Sequence, residues 1–302
     1  MLIAQISDLH IGPIGSSQDE NYRTAHHLEA AVTHLLGLPR RPDVVVATGD
    51  LVDGGLPEEY ARLRSILARL PMPVLVIPGN HDRRETLAAA FADQPWLPQG
   101  GGFLHYTLEN WPVRVIALDT TVPGKASGEM CAERLSWLDQ RLSEQPDRPT
   151  ILLMHHPPFA TGIAAMDEMG LSGKEAFAAV LRRHSQVERI LCGHIHRPIT
   201  ARVAGTVATV CPSTAHQIAL DLGPERRLAV IMEPPACMLH LWSPTGLVSH
   251  LSPIGHPTAP HVLFDGARWL PDNKLPPGFH LVAHRTSNTP PACSTSINDV
   301  SM

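Results

Sequence analysis

Five short motifs carry carboxylate, imidazole and amide side chains: "SDLH" ending at residue 10, "TGD" at 50, "GNHD" at 82, "MHHPP" at 158 and "GHIH" at 196. They offer Asp8, His10, Asp50, Asn80, His81, Asp82, His155, His156, His194 and His196. None of the motifs contains a thiolate. Oxygen and nitrogen donors without sulfur suit Mn, Fe, Zn or Co in a catalytic setting better than a structural zinc. A pair of divalent cations roughly 3.5–4 Å apart needs an anion shared between them, and a single aspartate can supply it. The donors divide evenly on that basis. Asp8, His10, Asp50 and His196 form one pocket; Asp50, Asn80, His156 and His194 form the other, with Asp50 as the bridge. The two histidines of "GHIH" then separate, one to each metal.

Each motif follows an apolar, β-branched run: "MLIAQI", "DVVVA", "VLVIP", "TILLM" and "RILC". Between them lie segments of helical period. Leu28, Val32, Leu35 and Leu36 share one face before Gly37 and Pro39 end the helix. Residues 57 to 70 place Leu63, Ile66, Leu67 and Leu70 together, with Pro57 at the helix start. Strands that are apolar throughout and alternate with helices indicate an α/β protein whose sheet faces are covered. In such sheets ligands sit outside the carboxyl ends of the strands, where all five motifs fall. Side chains at i and i+2 of an extended segment share a side, so Asp8 with His10, and His194 with His196, are expected to project together from strand ends.

The series D-x-H, G-D, G-N-H-D, H-H-P-P and G-H-x-H resembles the calcineurin-like metallophosphoesterases. Within that family the chain is most similar to the bacterial glycerophosphodiesterase and class III cyclic-nucleotide phosphodiesterase group. The stretches "GDLVDGGLPEEY", "PSTAHQ" and "CMLHLW" look like that group's own signatures. The resemblance spans residues 8 to 196 in its motifs and fades over the C-terminal tail. It implies a four-layer αββα sandwich with a binuclear metal site at the strand carboxyl ends. It also implies phosphodiester hydrolysis by a hydroxide bridging two divalent ions (Fe, Mn, Zn or Co). His81 is the implied catalytic residue near the leaving group; His216, with His81 and Asn80, is expected to contact the substrate. His155 and Asp82 are expected to support the ligands without touching metal.

Blander readings hold for other marked residues: Asp53 as a turn residue, Cys192 as core, and His26 and His27 as solvated helix positions. Four alternatives stand beside this reading, of which a nuclease of the same superfamily would want a basic groove that the sequence does not show. A protein serine/threonine phosphatase would carry G-D-x-x-D-R-G and G-N-H-E, whereas this chain has Gly54 in place of the arginine and Asp82 in place of the glutamate. A phosphomonoesterase of the same superfamily stays open. A non-catalytic binding scaffold is disfavoured because the ligand set is complete.

At 302 residues with 43% hydrophobic and 18% charged residues, the chain has enough apolar sequence for one large domain. Net charge is −5, and basic residues cluster only in pairs such as Arg226-Arg227, which argues against a nucleic-acid polymer as partner. Five dispersed cysteines without a C-x-x-C pair argue against a disulfide framework. The N-terminus lacks a basic region before its short apolar run, and no segment reaches bilayer-spanning length. A cytoplasmic protein without membrane contact is therefore expected, with a small phosphodiester as substrate. Residues 1–270 are assigned to the catalytic domain, with 197–236 as a cap or dimerisation segment, and 271–302 to a flexible tail. A homo-oligomer, dimer or higher, is expected from the resemblance.

Overall fold

The computed structural model describes residues 1–255 together with Phe264, Gly266 and Ala267; the expected tail lies outside the described residues. Met1–Gly255 form one compact unit. Its strands are β1 (Leu2–Ile6), β2 (Val44–Thr48), β3 (Val74–Ile77), β4 (Tyr106–Leu108), β5 (Arg114–Leu118) and β6 (Thr150–Met154). They continue with β7 (Val187–Cys192), β8 (Ile199–Val203), β9 (Thr206–Val210), β10 (Ala236–Ser243) and β11 (Gly246–Pro253). The longer helices are α1 (Thr24–Gly37), α2 (Pro57–Leu67), α3 (Arg84–Ala90), α4 (Ala132–Glu144) and α5 (Lys174–Leu181).

Two sheets result. The first has the order β11-β10-β1-β2-β3, and the second β8-β9-β7-β6-β5-β4. β1, β2 and β3 run parallel, as do β5, β6, β7 and β9. Parallel pairing brings the carboxyl ends of motif-bearing strands to one edge in each sheet. The antiparallel pair β10–β11 joins the free edge of β1 through partners such as Ala4 and Leu239.

Period-two burial explains the layers. Val115 and Ala117 of β5, with Ile151 and Leu153 of β6, pack into a core that includes Ile3, Ile6, Val44 and Val46 of the first sheet. The alternating residues Ile116, Leu118, Leu152 and Met154 face a second core with Leu138 and Leu142 of α4 and Phe177 and Leu181 of α5. On the far side of the first sheet, Leu28, Val32 and Leu35 of α1 and Leu63, Ile66 and Leu67 of α2 are buried. The order helix, sheet, sheet, helix is the αββα sandwich. The α2 helix stops at Leu67, and the expected fourth apolar position, Leu70, remains buried just beyond it.

Residues 197–236, expected to form a cap or dimerisation segment, comprise several pieces. Ile199–Val210 complete the second sheet, and residues 211–218 return toward the strand ends. Residues beyond them carry the exposed side chains Leu220, Leu222, Leu228 and Met232. Among the described residues, no helix is long and apolar enough to cross a membrane.

Candidate metal centre

The motif residues gather at the carboxyl ends of β1, β2, β3, β6 and β7, so that each sheet contributes to one site. The backbone there is not extended. Asp8, His10, Asp50, His194 and His196 all have positive φ, between 45° and 73°. They are five of the seven non-glycine residues in that region among those described. Such a concentration of left-handed residues marks a site whose backbone is held by its surroundings. The expectation of strand-like i, i+2 projection is therefore corrected: each strand ends before the ligand-bearing residues of its motif, and left-handed backbone at Asp8, His10, Asp50, His194 and His196 aims their side chains.

The surroundings that hold these turns are identifiable. The amides of Leu9 and His10 both donate to the Asp50 carbonyl, at 2.8 and 2.9 Å, zipping the first motif onto the second. The Asp50 carboxylate accepts from the His81 amide at 2.8 Å, and Asp8 accepts from the His194 amide at 2.9 Å. Gly193 must lack a side chain, because a Cβ there would lie 2.2 Å from Ser7 Oγ and 2.7 Å from the Thr48 carbonyl. Ser213, in the "PSTAHQ" stretch, donates to the Asp8 carbonyl at 2.8 Å.

Two donor clusters form. In the first, Asp8, His10, Asp50 and His196 bring one potential ligand atom each within 4.8 Å of one another. His10 Nδ1 lies 3.3 Å from Asp53 Oδ1, and His196 Nδ1 lies 3.0 Å from the His216 carbonyl. Both partners only accept, so both Nδ1 atoms carry hydrogen and the Nε2 lone pairs of neutral rings are free. Those Nε2 atoms face each other at 3.1 Å. Two lone pairs at that separation repel unless a cation or a proton stands beside them. Asp8 Oδ2 is buried without a partner in the same place. The donor set thus fits a divalent ion.

In the second cluster the ring that faces Asp50 and Asn80 is that of His155, not His156. His155 Nδ1 donates to the Thr48 carbonyl at 2.8 Å, and its Nε2 lies 3.2 Å from Asn80 Oδ1 and 3.4 Å from Asp50 Oδ2. Three potential ligand atoms again converge. Burial opposes charge on His155, but the Asp50 carboxylate outweighs it and pushes the imidazolium up to about 9. His156 is satisfied elsewhere. Its Nε2 donates to the Ala126 carbonyl at 3.0 Å, and its Nδ1 accepts from the Thr120 hydroxyl at 2.7 Å. Burial, then the charge of His155, pushes its pKa down to about 3, so the ring is neutral with no lone pair to spare. The geometry thus places His155, rather than the expected His156, beside Asp50 and Asn80, with a ring nitrogen of His156 within 4.8 Å of those of His155 and His194. His194 donates Nε2–H to the Met169 carbonyl at 3.1 Å, which leaves its Nδ1 for the cluster.

Asp53 is more than a turn residue. Its carboxylate orients His10, and its carbonyl accepts the Nδ1–H of His81 at 2.8 Å. Its signal in the sequence was its spacing of three from Asp50, too common to single it out. Asp82 accepts from the amides of Gly79 and Leu51 and from the Tyr60 hydroxyl, at 2.8, 3.1 and 2.7 Å, and so ties the "GNHD" turn to α2. The His216 ring lies 4.9 Å from that of His196 and 4.6 Å from that of Tyr22. Burial, with the neighbouring histidines, pushes its pKa down to about 3, and its Nδ1 has no partner.

The profile of the calcineurin-like phosphoesterases matches residues 1–198, which hold every residue of both clusters. The chain belongs to that family. Among relatives, it is 36% identical over 267 residues to a probable glycerophosphodiester phosphodiesterase GpdQ of Arcobacter nitrofigilis. That match covers 88% of this chain and 97% of the relative. It is 31% identical over 221 residues to the 3',5'-cyclic adenosine monophosphate phosphodiesterase CpdA of Escherichia coli K12, covering 71% and 76%. Among solved structures, a dimetal phosphatase from Danio rerio superposes with a TM-score of 0.60 at 16% identity, covering 84% of this chain and 99% of that one. That likeness shows the fold. The αββα architecture is therefore the family's own.

Proposed function

We propose that this calcineurin-like phosphoesterase hydrolyses small phosphodiesters at a binuclear metal centre. Asp8, His10, Asp50 and His196 hold one cation, and Asp50, Asn80, His155 and His194 hold the other. The observation that carries this reading is the convergence of ring nitrogens and carboxylates around Asp50, with Asp8, His10 and His196 on one side of it and His155, close to His194, on the other. Iron, manganese, zinc and cobalt all suit such a donor set. When bound, the two cations supply Lewis-acid polarisation of the phosphoryl group and a water acidic enough to ionise near neutral pH.

The chain's own residues supply the rest. With Nδ1–H committed to the Asp53 carbonyl, a neutral His81 has no proton on Nε2. Only its imidazolium can deliver a proton from that atom to a departing alkoxide, so His81 acts as a general acid in its charged form. His216, neutral and against Tyr22, offers a ring N–H to a non-bridging oxygen. Asn80 would hold the second cation through Oδ1, which lies 3.2 Å from His155 Nε2, and leave its NH2 for the substrate. Phosphodiesters are favoured over monoesters because the relatives matched over most of their length bear phosphodiesterase names. A cytoplasmic location fits the free thiols of Cys131, Cys192, Cys211 and Cys237. A homo-oligomer fits the exposed apolar side chains between Leu220 and Met232. A nucleic-acid polymer is not a partner in this reading.

The test is metal reconstitution followed by elemental analysis and kcat/KM on bis(p-nitrophenyl) phosphate, p-nitrophenyl phosphate, glycerophosphoethanolamine and 3′,5′-cyclic AMP. Two metals per active chain and faster turnover of the diesters are expected. Equal or faster turnover of the monoester overturns the diesterase reading, and full activity with one metal overturns the binuclear one.

A further inference from the structure

A cleft of about 530 Å³ opens beside the second cluster, between the turn that carries Asn80 and His81 and the loop from Thr121 to Ala126. That volume suits a leaving group of several non-hydrogen atoms. Most charges around it are already engaged. Arg84 donates twice to Asp119, at 2.5 and 3.1 Å, and once to the Thr121 carbonyl at 2.7 Å. The carboxylates of Asp53 and Asp82 are held as described above. Among the described residues, the side chains of Arg83, Lys125 and Glu85 alone line the cleft as charged groups with no hydrogen-bond or ion-pair partner. Two of these three are cationic, in a chain whose total is −5.

Both cations are placed by their backbones. The Arg83 stem lies over Gly55, where a Cβ would stand 2.5 Å from Arg83 Cγ; the glycine's φ of +71° excludes most side chains in any case. The Glu59 carboxylate anchors that loop by accepting from the amides of Gly54, at 3.0 Å, and Leu56, at 2.8 Å. Lys125 ends a tight turn with Pro123 and Gly124 at its centre, closed by its amide donating to the Val122 carbonyl at 3.0 Å. Pro followed by a left-handed Gly defines a type II turn, and the φ of Gly124 is +74°. The next residue, Ala126, is fixed by its bond from His156.

We propose that Arg83 and Lys125 select diesters whose leaving group carries an anionic substituent, a carboxylate or a phosphoryl group. The inference rests on the proposed diesterase function, with His81 on the leaving-group side. A leaving group that departs past His81 enters this cleft, where an anionic substituent can pair with Arg83 and Lys125. Each exposed ion pair is worth a factor of roughly 1.4 to 5.

The experiment compares kcat/KM for glycerophosphoserine and glycerophosphoethanolamine, whose leaving groups differ only by a carboxylate. A second arm compares glycerophosphoglycerol with and without a terminal phosphate, which separates carboxylate from phosphoryl preference. We expect the anionic member of at least one pair to be favoured about fivefold by the wild type, two such pairs being worth roughly this factor. That ratio should fall towards one in Arg83→Ala/Lys125→Ala, fall below one in Arg83→Glu, and shrink as salt screens exposed charges. Placing the substitutions in separate loops guards against local misfolding in either one. Wild-type ratios of one in both arms, or ratios that survive the double substitution and high salt, overturn the proposal while leaving the diesterase intact. Turnover of none of these esters overturns both.

Discussion

His240 of β10 provides a measurable link between the fold and pH. Its ring is fully buried; Nε2 donates to Gln5 Oε1 at 3.0 Å, and Nδ1 accepts from the Ser249 hydroxyl at 2.8 Å. Gln5 in turn donates to Thr48 Oγ1 and to the Cys192 carbonyl, both at 2.9 Å, so the chain of bonds crosses from the first sheet to the second. Burial, reinforced by the nearby charges of Arg189 and His250, pushes the His240 pKa from its ordinary 6.5 down to about 3. The folded protein therefore keeps this ring neutral while the unfolded chain takes up a proton. Its contribution is present above pH 6.5 and is lost as the pH falls towards 3. From pH 7 to pH 5 the unfolded form gains about 1.5 pH units of proton binding that the folded form lacks. At 1.36 kcal/mol per unit this amounts to about 2 kcal/mol. The assay is urea unfolding of metal-free wild type and His240→Gln at pH 7 and pH 5. The glutamine can still donate to Gln5 but does not titrate. The other buried histidines contribute equally to both proteins and drop out of the difference. The wild type should lose about 2 kcal/mol more than the variant over that interval. Parallel losses would refute the assignment of a neutral, buried His240.

Three further outcomes are expected. His155→Ala should lose one of two metals by elemental analysis, whereas His156→Ala should retain both, with activity reduced through the freed Thr120–Ala126 loop. His81→Ala should keep both metals yet lose about 10²–10⁴-fold in kcat for alkyl diesters, and much less for p-nitrophenyl esters that leave without a proton. Gly193→Ala should be destabilised by several kcal/mol in thermal melts, because a methyl group meets backbone and the Ser7 hydroxyl in a close-packed interior.

Motif-level features were legible because each is local. A β-branched run followed by Asp, Asn or His is confined to a few residues, and five such runs in one chain imply a shared sheet edge. Strands without a polar face imply covered sheet faces, whereas the αββα layering was implied only by the family resemblance. What local sequence does not contain is the tertiary partner. His155 and His156 are adjacent and chemically identical; the Thr48 carbonyl beside one and the Ala126 carbonyl beside the other decide which ring faces Asp50. The turn at Asp8 and His10 is left-handed because the Asp50 carbonyl, forty residues on in sequence, captures two amides at once. Asp53 and Gln5 were passed over for the same reason. A carboxylate in a turn and an amide in a strand acquire roles only when His10 and His240 arrive from elsewhere in the chain.

The left-handed backbone at Asp8, His10, Asp50, His194 and His196 also governs how this site can decay in a lineage. Asparagine, aspartate, histidine and glycine enter that conformation readily, while β-branched residues do so at considerable cost. Single-base changes reach asparagine from both aspartate and histidine codons. A copy of the gene released from selection for catalysis, but still selected for a stable sandwich, would thus drift first to asparagine at these five positions. Valine, isoleucine or threonine would be purged there for folding reasons alone. Descendants that kept the scaffold and gave up the chemistry should be recognisable by that residue pattern.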